Sequence, residues 1–339
     1  MSALPTTGRE WQLVARPHGW PEAGDLALRE VPVSEPGEGR ILVRNLHFSV
    51  DPYMRGRMND VPSYLPPFQI DQPLDGHAVG VVVASAAEGF AVGDTVAHFL
   101  GWREYAEVPA AHAHKIDTSL APASAYLGVL GMPGLTAYAG LFRTAGFKEG
   151  DAIFVSGAAG AVGSLVGQMA RVKGASRVIG SAGSAAKVQH LTERYGFSAA
   201  FNYKDGPVAE QLAKAAPDGI DVYFDNVGGD HLEAAIDSLK LHGRVTLCGA
   251  IAQYNDTEPS VVLRNLITAI GKRLRLEGMM VADHEDLRPQ FVRDVAGWIA
   301  SGDIVYDETV VEGIEHGFDA FIGMLRGENT GKMVVSLPE

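Results

Sequence analysis

A glycine-spaced junction at residues 151–172 restricts the fold of this chain more than any other feature. Asp151-Ala-Ile-Phe-Val-Ser156 has the composition of a buried strand, and Ser156-Gly-Ala-Ala-Gly-Ala-Val-Gly163 carries a glycine at every third position. Val162–Val172 then repeats apolar residues at 162, 165, 166 and 169, the spacing of a helix lying on a sheet. A strand–turn–helix junction gathers free backbone N–H groups and the positive end of a helix dipole at one point, which suits a pyrophosphate. Glycine is needed where the backbone must approach a ligand or the sheet closely. The G-x-x-G-x-x-G spacing is a relaxed form of the dinucleotide fingerprint, so a tight connection without a ligand is the competing reading.

The chain beyond the junction keeps the same strand–helix rhythm. Strand-like runs at Ala152–Ser156, Arg177–Gly180, Ala199–Asn202, Asp221–Asp225, Arg244–Cys248 and Arg273–Glu277 alternate with helical patterns at Val162–Val172, Ser184–Tyr195, Pro207–Ala216 and Leu232–Leu241. Such alternation predicts an α/β fold, a Rossmann-type doubly wound parallel sheet covered on both faces. Helical Leu287–Ile299 comes next. Before residue 125 the texture differs. Alternating stretches at Glu10–Ala15, Arg40–Leu46, His77–Ala84 and Thr95–Leu100 are separated by Gly, Pro and Asp turns, as in a twisted antiparallel β-domain. Pro52–Pro73, rich in Pro, Tyr and Met, is too irregular for an element and long enough to be a functional loop. Lys332–Leu337 is again strand-like. At 339 residues a second core is expected, and the boundaries fall at 1–125 with 305–339 for the β-domain and 126–304 for the nucleotide domain.

The second strand of the α/β region selects the cofactor. An NAD site places a carboxylate roughly 20 residues on, to accept from the ribose 2′-hydroxyl. No Asp or Glu occurs between Asp151 and Glu193. Instead the strand runs into Ser181-Ala-Gly-Ser-Ala-Ala-Lys187, where Ser184 is a natural N-cap and Lys187 falls in the first helical turn. A cation there opposes the helix dipole unless an anion lies beside it. A 2′-phosphate held by Gly183, Ser184 and Lys187 is such an anion, so the expected cofactor is NADPH. A solvated surface lysine is the alternative.

Net charge of −13 repels phosphate backbones and anionic lipid, so neither nucleic acid nor membrane is an expected partner. The single cysteine, Cys248, permits no intrachain disulfide and fits a reducing compartment. Met1–Trp11 has no apolar signal core and no apolar run is long enough to span a bilayer, so a cytoplasmic location is expected.

The order β-domain, nucleotide domain, return strand resembles the medium-chain dehydrogenase/reductase superfamily, whose alcohol dehydrogenases hold zinc through Cys and His. Here Gly76-His-Ala78 stands where those enzymes have Gly-His-Glu, Cys248 is the only thiol, and His112 and His114 have no third ligand nearby in sequence. No metal is expected. Ser49-Val-Asp-Pro-Tyr-Met-Arg-Gly-Arg57, Gly131-Met-Pro-Gly-Leu-Thr-Ala-Tyr138, Phe224-Asp-Asn-Val-Gly-Gly229, Cys248-Gly-Ala250 with Tyr254-Asn255, and Gly327-Glu-Asn-Thr-Gly-Lys332 occur in order. Together they resemble the zinc-free prostaglandin reductase and alkenal double-bond reductase family. Arg16-Pro-His-Gly19 and Arg57–Tyr64 resemble its bacterial branch of NADPH-dependent curcumin reductases.

The resemblance implies a GroES-like β-domain, a homodimer, and cofactor contacts at Gly160, Ala161, Val162, Gly163, Lys187, Tyr203, Asn226, Cys248, Gly249, Ala250, Tyr254, Met279, Met280, Val281 and Asn329. For Asn226 and Asn329, a turn asparagine without a ligand is the competing reading. It further implies reduction of the C=C bond of an enone or enal, with hydride reaching the β-carbon and negative charge developing on the carbonyl oxygen. That chemistry needs alignment and a hydrogen-bond donor rather than a nucleophile or metal. A tyrosine phenol is protonated at neutral pH and can donate. Tyr254 is the leading candidate, with Tyr53 and Tyr64 in the long loop as candidates to wall the substrate; a tyrosine bonded to backbone is the bland reading of each. Arg55 is expected to pair internally. A zinc-free quinone reductase and a non-catalytic NADPH-binding protein are the alternative functions.

Overall fold

A computed structural model describes residues 4–258 and 263–338. It divides into two compact units, Met1–Leu127 with Glu308–Glu339, and Gly128–Asp307. In the first, the strands are β1 (Thr7–Leu13), β2 (Leu26–Pro32), β3 (Arg40–Ser49), β4 (Gln72–Pro73), β5 (Ala78–Ser85), β6 (Thr95–His98), β7 (Tyr105–Pro109) and β8 (His114–Lys115), with helix α1 (Tyr53–Arg57) after β3. The second unit contributes α2 (Met132–Ala139), β9 (Ala152–Val155), α3 (Gly163–Val172), β10 (Arg177–Ala182), α4 (Ala185–Glu193), β11 (Ala199–Asn202), α5 (Val208–Ala215), β12 (Ile220–Asp225), α6 (Gly229–Ser238), β13 (Leu239–Leu247), α7 (Leu266–Lys272), β14 (Arg275–Gly278) and α8 (Arg288–Ser301). The chain returns to the first unit through β15 (Glu308–Glu312), α9 (Gly317–Leu325) and β16 (Lys332–Ser336).

The first unit is the antiparallel β fold that its turn-punctuated sequence predicts. β2-β1-β4 form one sheet, and β15-β16-β3-β5-β6-β8 form another in which β7 also pairs with β3. The ten-residue β3 lies antiparallel to β5, β7 and β16. β15 and β16 are parallel. Parallel neighbours cannot be joined by a tight turn, and α9 supplies the crossover. Trp11, Phe48, Met54, Trp102 and Phe321 fill the main core.

The Pro52–Pro73 stretch is not wholly irregular. It opens with the five-residue α1, whose Met54 is buried in that core. Arg57 then ties the rest of the loop down: it pairs with Asp75, donates to the Pro66 carbonyl (2.9 Å) and lies 4.0 Å over the Phe68 ring. Local propensity would not sustain one helical turn, so these tertiary bonds are what hold it.

In the second unit the order β11-β10-β9-β12-β13-β14 is parallel throughout. Numbered from β9, this is the 3-2-1-4-5-6 order of the doubly wound dinucleotide fold, whose switch point lies between β9 and β12. All four residues of β9 are buried, as expected of a strand covered on both faces. Most element ends here fall within about two residues of the sequence reading, and the largest departures lie at α6 and β13. The helix expected at Leu232–Leu241 is α6, Gly229–Ser238, and the strand expected at Arg244–Cys248 is β13, which begins at Leu239 and ends at Leu247. Leu239 leaves the helix because it aligns with Ile220 across the sheet. Among the described residues no helix is long and apolar enough to cross a membrane.

Candidate active site

The carboxyl edge of the parallel sheet is built by the loops after β9, β10, β12 and β13. After β9, Gly157 takes φ +58°, a left-handed conformation that favours glycine. A Cβ on Gly163 would lie 2.5 Å from the Gly157 carbonyl oxygen, so the turn cannot close on any larger residue there. Around Gly160 there is almost open space. Among the described residues no side chain caps the N-terminus of α3, and while Gly160 N donates to the Gly157 carbonyl (3.1 Å) to close the turn, the amides of Ala161, Val162 and Gly163 stand at the open end of the helix. Uncapped amides over a glycine cradle fit a pyrophosphate.

Beside it, β10 carries Ser181 near its end, whose buried Oγ has no hydrogen-bond partner among the described residues. Ser184 is the N-cap of α4, its hydroxyl accepting from Lys187 N at 3.3 Å, which puts Lys187 in the first turn. Tyr203 belongs to the same corner: its hydroxyl oxygen would lie 3.1 Å from a Cβ on Gly183. The structure thus gathers Gly183, Ser184, Lys187 and Tyr203, which the sequence spreads over 21 positions, 183 to 203.

The loops after β12, β13 and β14 border an open cavity of about 670 Å³ lined by Cys248, Gly249, Ala250, Tyr254, Met279 and Met280, among others. All six of these residues are among those expected at a cofactor. Val281 starts the short 3-10 segment just beyond. Asn226 is oriented by its neighbours, its Nδ2 donating to the Ser156 carbonyl (2.8 Å) and its backbone N to Ser156 Oγ (3.0 Å). Tyr254 is half-buried, and among the described residues its hydroxyl accepts only a long 3.5 Å bond from Ala250 N, so the phenol proton is left to donate elsewhere. Burial raises its pKa above the ordinary tyrosine value, which keeps that proton on at neutral pH. Burial, and then the charge of Asp225, pushes the Cys248 thiol up to about 12.

The remaining expected residues lie in the first unit. Tyr53 on α1 has a buried hydroxyl with no hydrogen-bond partner among the described residues, and burial followed by the charge of Asp51 raises its pKa well above the ordinary value. An unmade bond of this kind costs about 1–3 kcal/mol. Tyr64 is exposed. Asn329 donates from Nδ2 to the Gly331 carbonyl at 2.8 Å. Arg55 is tied internally, to the Gly19 carbonyl (2.7 and 3.1 Å) and Asn59 Oδ1 (2.8 Å). Among the described residues no group of three or more His, Cys, Asp or Glu is disposed to hold a metal ion.

Sequence reasoning passed over Asp225, Ser156, Asp51 and Lys332. All four stand inside quoted motifs, but each has a partner distant in the chain. Lys332 Nζ donates to Asp51 Oδ1 (3.1 Å) and to the Val50 and Met333 carbonyls (2.7 and 2.9 Å). It joins the motif that carries Tyr53 to the motif that carries Asn329.

Comparison with known proteins finds likenesses along nearly the whole chain. A family model described as the N-terminal domain of oxidoreductase matches residues 9–116, and one described as a zinc-binding dehydrogenase matches 161–296. The NADPH-dependent curcumin reductase of Escherichia coli (strain K12) is 41% identical over 332 residues, 96% of each chain. The NADP(+)-dependent 2-alkenal reductase of Nicotiana tabacum is 42% identical over 323 residues, 94% of each. The crystal structure of CurA in complex with NADPH from Vibrio vulnificus superposes with a TM-score of 0.92 at 40% identity, covering 98% of this chain and 99% of that one.

Proposed function

The chain belongs to the NADP-dependent oxidoreductase family of these curcumin and alkenal reductases, and from that premise we propose that it uses NADPH to reduce the C=C bond of an α,β-unsaturated ketone or aldehyde. The observation that carries this reading is the convergence of Cys248–Ala250, Tyr254, Met279 and Met280 on one cavity at the carboxyl edge of the sheet. When bound, NADPH supplies the hydride that reaches the substrate β-carbon. No metal is invoked, since the chain has one thiol and lacks the Gly-His-Glu signature.

The protein's own part is to hold, orient and stabilise. Gly160–Gly163 and the α3 N-terminus hold the pyrophosphate, and Gly183, Ser184, Lys187 and Tyr203 hold the 2′-phosphate. The apolar wall of Met279 and Met280 excludes water. Asn226 uses one of its two side-chain N–H groups on the Ser156 carbonyl, which fixes the side chain, and its Oδ1 accepts from a cofactor hydroxyl. Tyr254 donates to the carbonyl oxygen as charge develops there. Tyr53 and Tyr64, and Asn329, are the first unit's candidates for substrate and cofactor contact.

The reading is tested by following NADPH oxidation with a panel of enals, enones, curcumin and quinones. Turnover of enones and enals is expected, and turnover of quinones alone would overturn it. Lys187→Ala is expected to raise the Kd for NADPH about 10–100-fold and that for NADH by less than about threefold, the difference being one charge-assisted bond of about 1.5–3 kcal/mol. Equal losses for both nucleotides would place the 2′-phosphate elsewhere.

We assign the enzyme to the cytoplasm, in keeping with its single cysteine, and to a homodimer. β14 ends the sheet order, and α7, which packs on β13 and α6 and leads into β14, exposes Ile267 (75%) and Ile270 (73%). Apolar side chains this open on a short helix are suited to a second copy of the chain. A native mass of twice 36.0 kDa is expected by light scattering, and Ile267→Asp with Ile270→Asp is expected to halve it. A native protein that runs as a monomer removes the assignment.

A further inference from the structure

Asp225 ends β12 and is 1% exposed, and the proposed reduction assigns it no task. Its Oδ1 accepts from Gly228 N (2.8 Å), Val227 N (2.9 Å) and Ser156 Oγ (3.2 Å), with the Tyr223 hydroxyl 2.6 Å away. Its main-chain carbonyl accepts from Cys248 N (2.9 Å) and Gly249 N (3.0 Å). One residue therefore fastens both the 226–228 loop and the 248–250 loop, and Gly228, Cys248, Gly249 and Ala250 all line the cavity. Two further bonds, Ile251 N to Asn226 O (3.3 Å) and Ala252 N to Val227 O (3.2 Å), lock the loops to each other.

The only thiol of the chain lines the same cavity as the proposed hydrogen-bond donor, Tyr254. Enones and enals are soft electrophiles. A thiolate adds its sulfur to the β-carbon, forming a C–S bond as the C=C π pair moves to the carbonyl oxygen, and a proton then completes the saturated adduct. No oxidant is needed. A thiolate at Cys248 would thus compete with hydride for the same carbon and end in a blocked enzyme.

We propose that Asp225 is the positioning residue of this pocket and that its buried carboxylate protects Cys248 from alkylation by the enzyme's own electrophilic substrate. Burial raises the Asp225 pKa, and the four donors that converge on the carboxylate oppose that rise and favour its charged form. The charge in turn disfavours a thiolate on the adjoining loop, in the same direction as burial of the sulfur. The other titratable groups around the thiol are Tyr254 and Asp283 on the cavity wall and Tyr223 against Asp225. At neutral pH the two tyrosines are neutral and add no charge that would stabilise a thiolate.

The protective role rests on the enone reading of the substrate, but its test does not need turnover. N-ethylmaleimide, itself an electrophilic alkene, reports on Cys248 alone, and intact-mass measurement counts the adduct. Alkylation of the native protein at pH 7.5 is expected to be at least tenfold slower than that of the same protein unfolded in guanidinium; a smaller difference overturns the proposal. Asp225→Asn keeps an acceptor for the loop amides and removes the charge. It is expected to speed alkylation at least tenfold at pH 7.5 by moving the rate–pH curve to lower pH. A faster rate with the midpoint unmoved would mean an opened pocket only, and an unchanged rate would mean no electrostatic role; either overturns the proposal. Failure of the substrate panel would remove the enone reading and leave these thiol measurements as they stand.

Discussion

Tyr254→Phe is expected to lower kcat/KM for a reducible enone by about 10²–10³-fold, the loss of one donor at a developing oxyanion. The phenyl ring of the variant fills the same volume, so the cavity wall and the NADPH Kd are expected to stay as they are. The size of the effect reflects how little else engages the hydroxyl: its one bond among the described residues is the 3.5 Å contact from Ala250 N. Because burial raises the phenol pKa above its ordinary value, the proton needed for donation persists across the neutral and mildly alkaline range. Loss of activity on raising the pH is therefore expected only above about 10, the ordinary tyrosine value. Steady-state rates of NADPH consumption with wild type and variant decide the matter, and an unchanged kcat/KM would sink the assignment of Tyr254.

Lys332→Met is expected to cost about 3–5 kcal/mol of stability, the penalty for stripping one partner from a buried ion pair. Lys332 and Asp51 have side chains only 4% and 5% exposed. The ammonium also caps the Val50 and Met333 carbonyls, so its removal strips a donor from three acceptors at once. Ser49 Oγ also donates to Asp51, but a neutral hydroxyl cannot offset the charge. The double variant Lys332→Met with Asp51→Asn carries neither charge of the pair and is expected to recover most of the loss. Urea unfolding of the three proteins tests this. A single variant within about 1 kcal/mol of wild type, the range of an exposed pair, would show that the pair contributes little.

Both predictions rest on residues that the sequence displays, but only one of them could be given a role from it. Tyr254 comes just after the end of a recognisable strand, and the rule that ligands bind beyond the carboxyl ends of parallel strands singles it out. Lys332 reads as one more cation near a C-terminal strand. Its partner is 281 positions away, brought to it by the pairing of β16 with β3. Asp225 is similar: Ser156 lies 69 positions earlier and meets it only because β9 and β12 are parallel neighbours.

The sequence by itself determined the parallel doubly wound sheet, the glycine cradle at residues 157–163, the N-cap at Ser184 and the position of Lys187 in the first turn of α4. These arise from local spacing, dihedral freedom and capping chemistry, which act within a few residues. The tertiary structure alone decided that Pro52 begins a helical turn, that α6 stops at Ser238 and that Asp225 and Lys332 are buried anchors. A short helix, a strand register and a buried charge are each stabilised by partners far along the chain. The glycine junction therefore announces where a nucleotide can sit, whereas the shape of the cavity beside it depends on strand pairing.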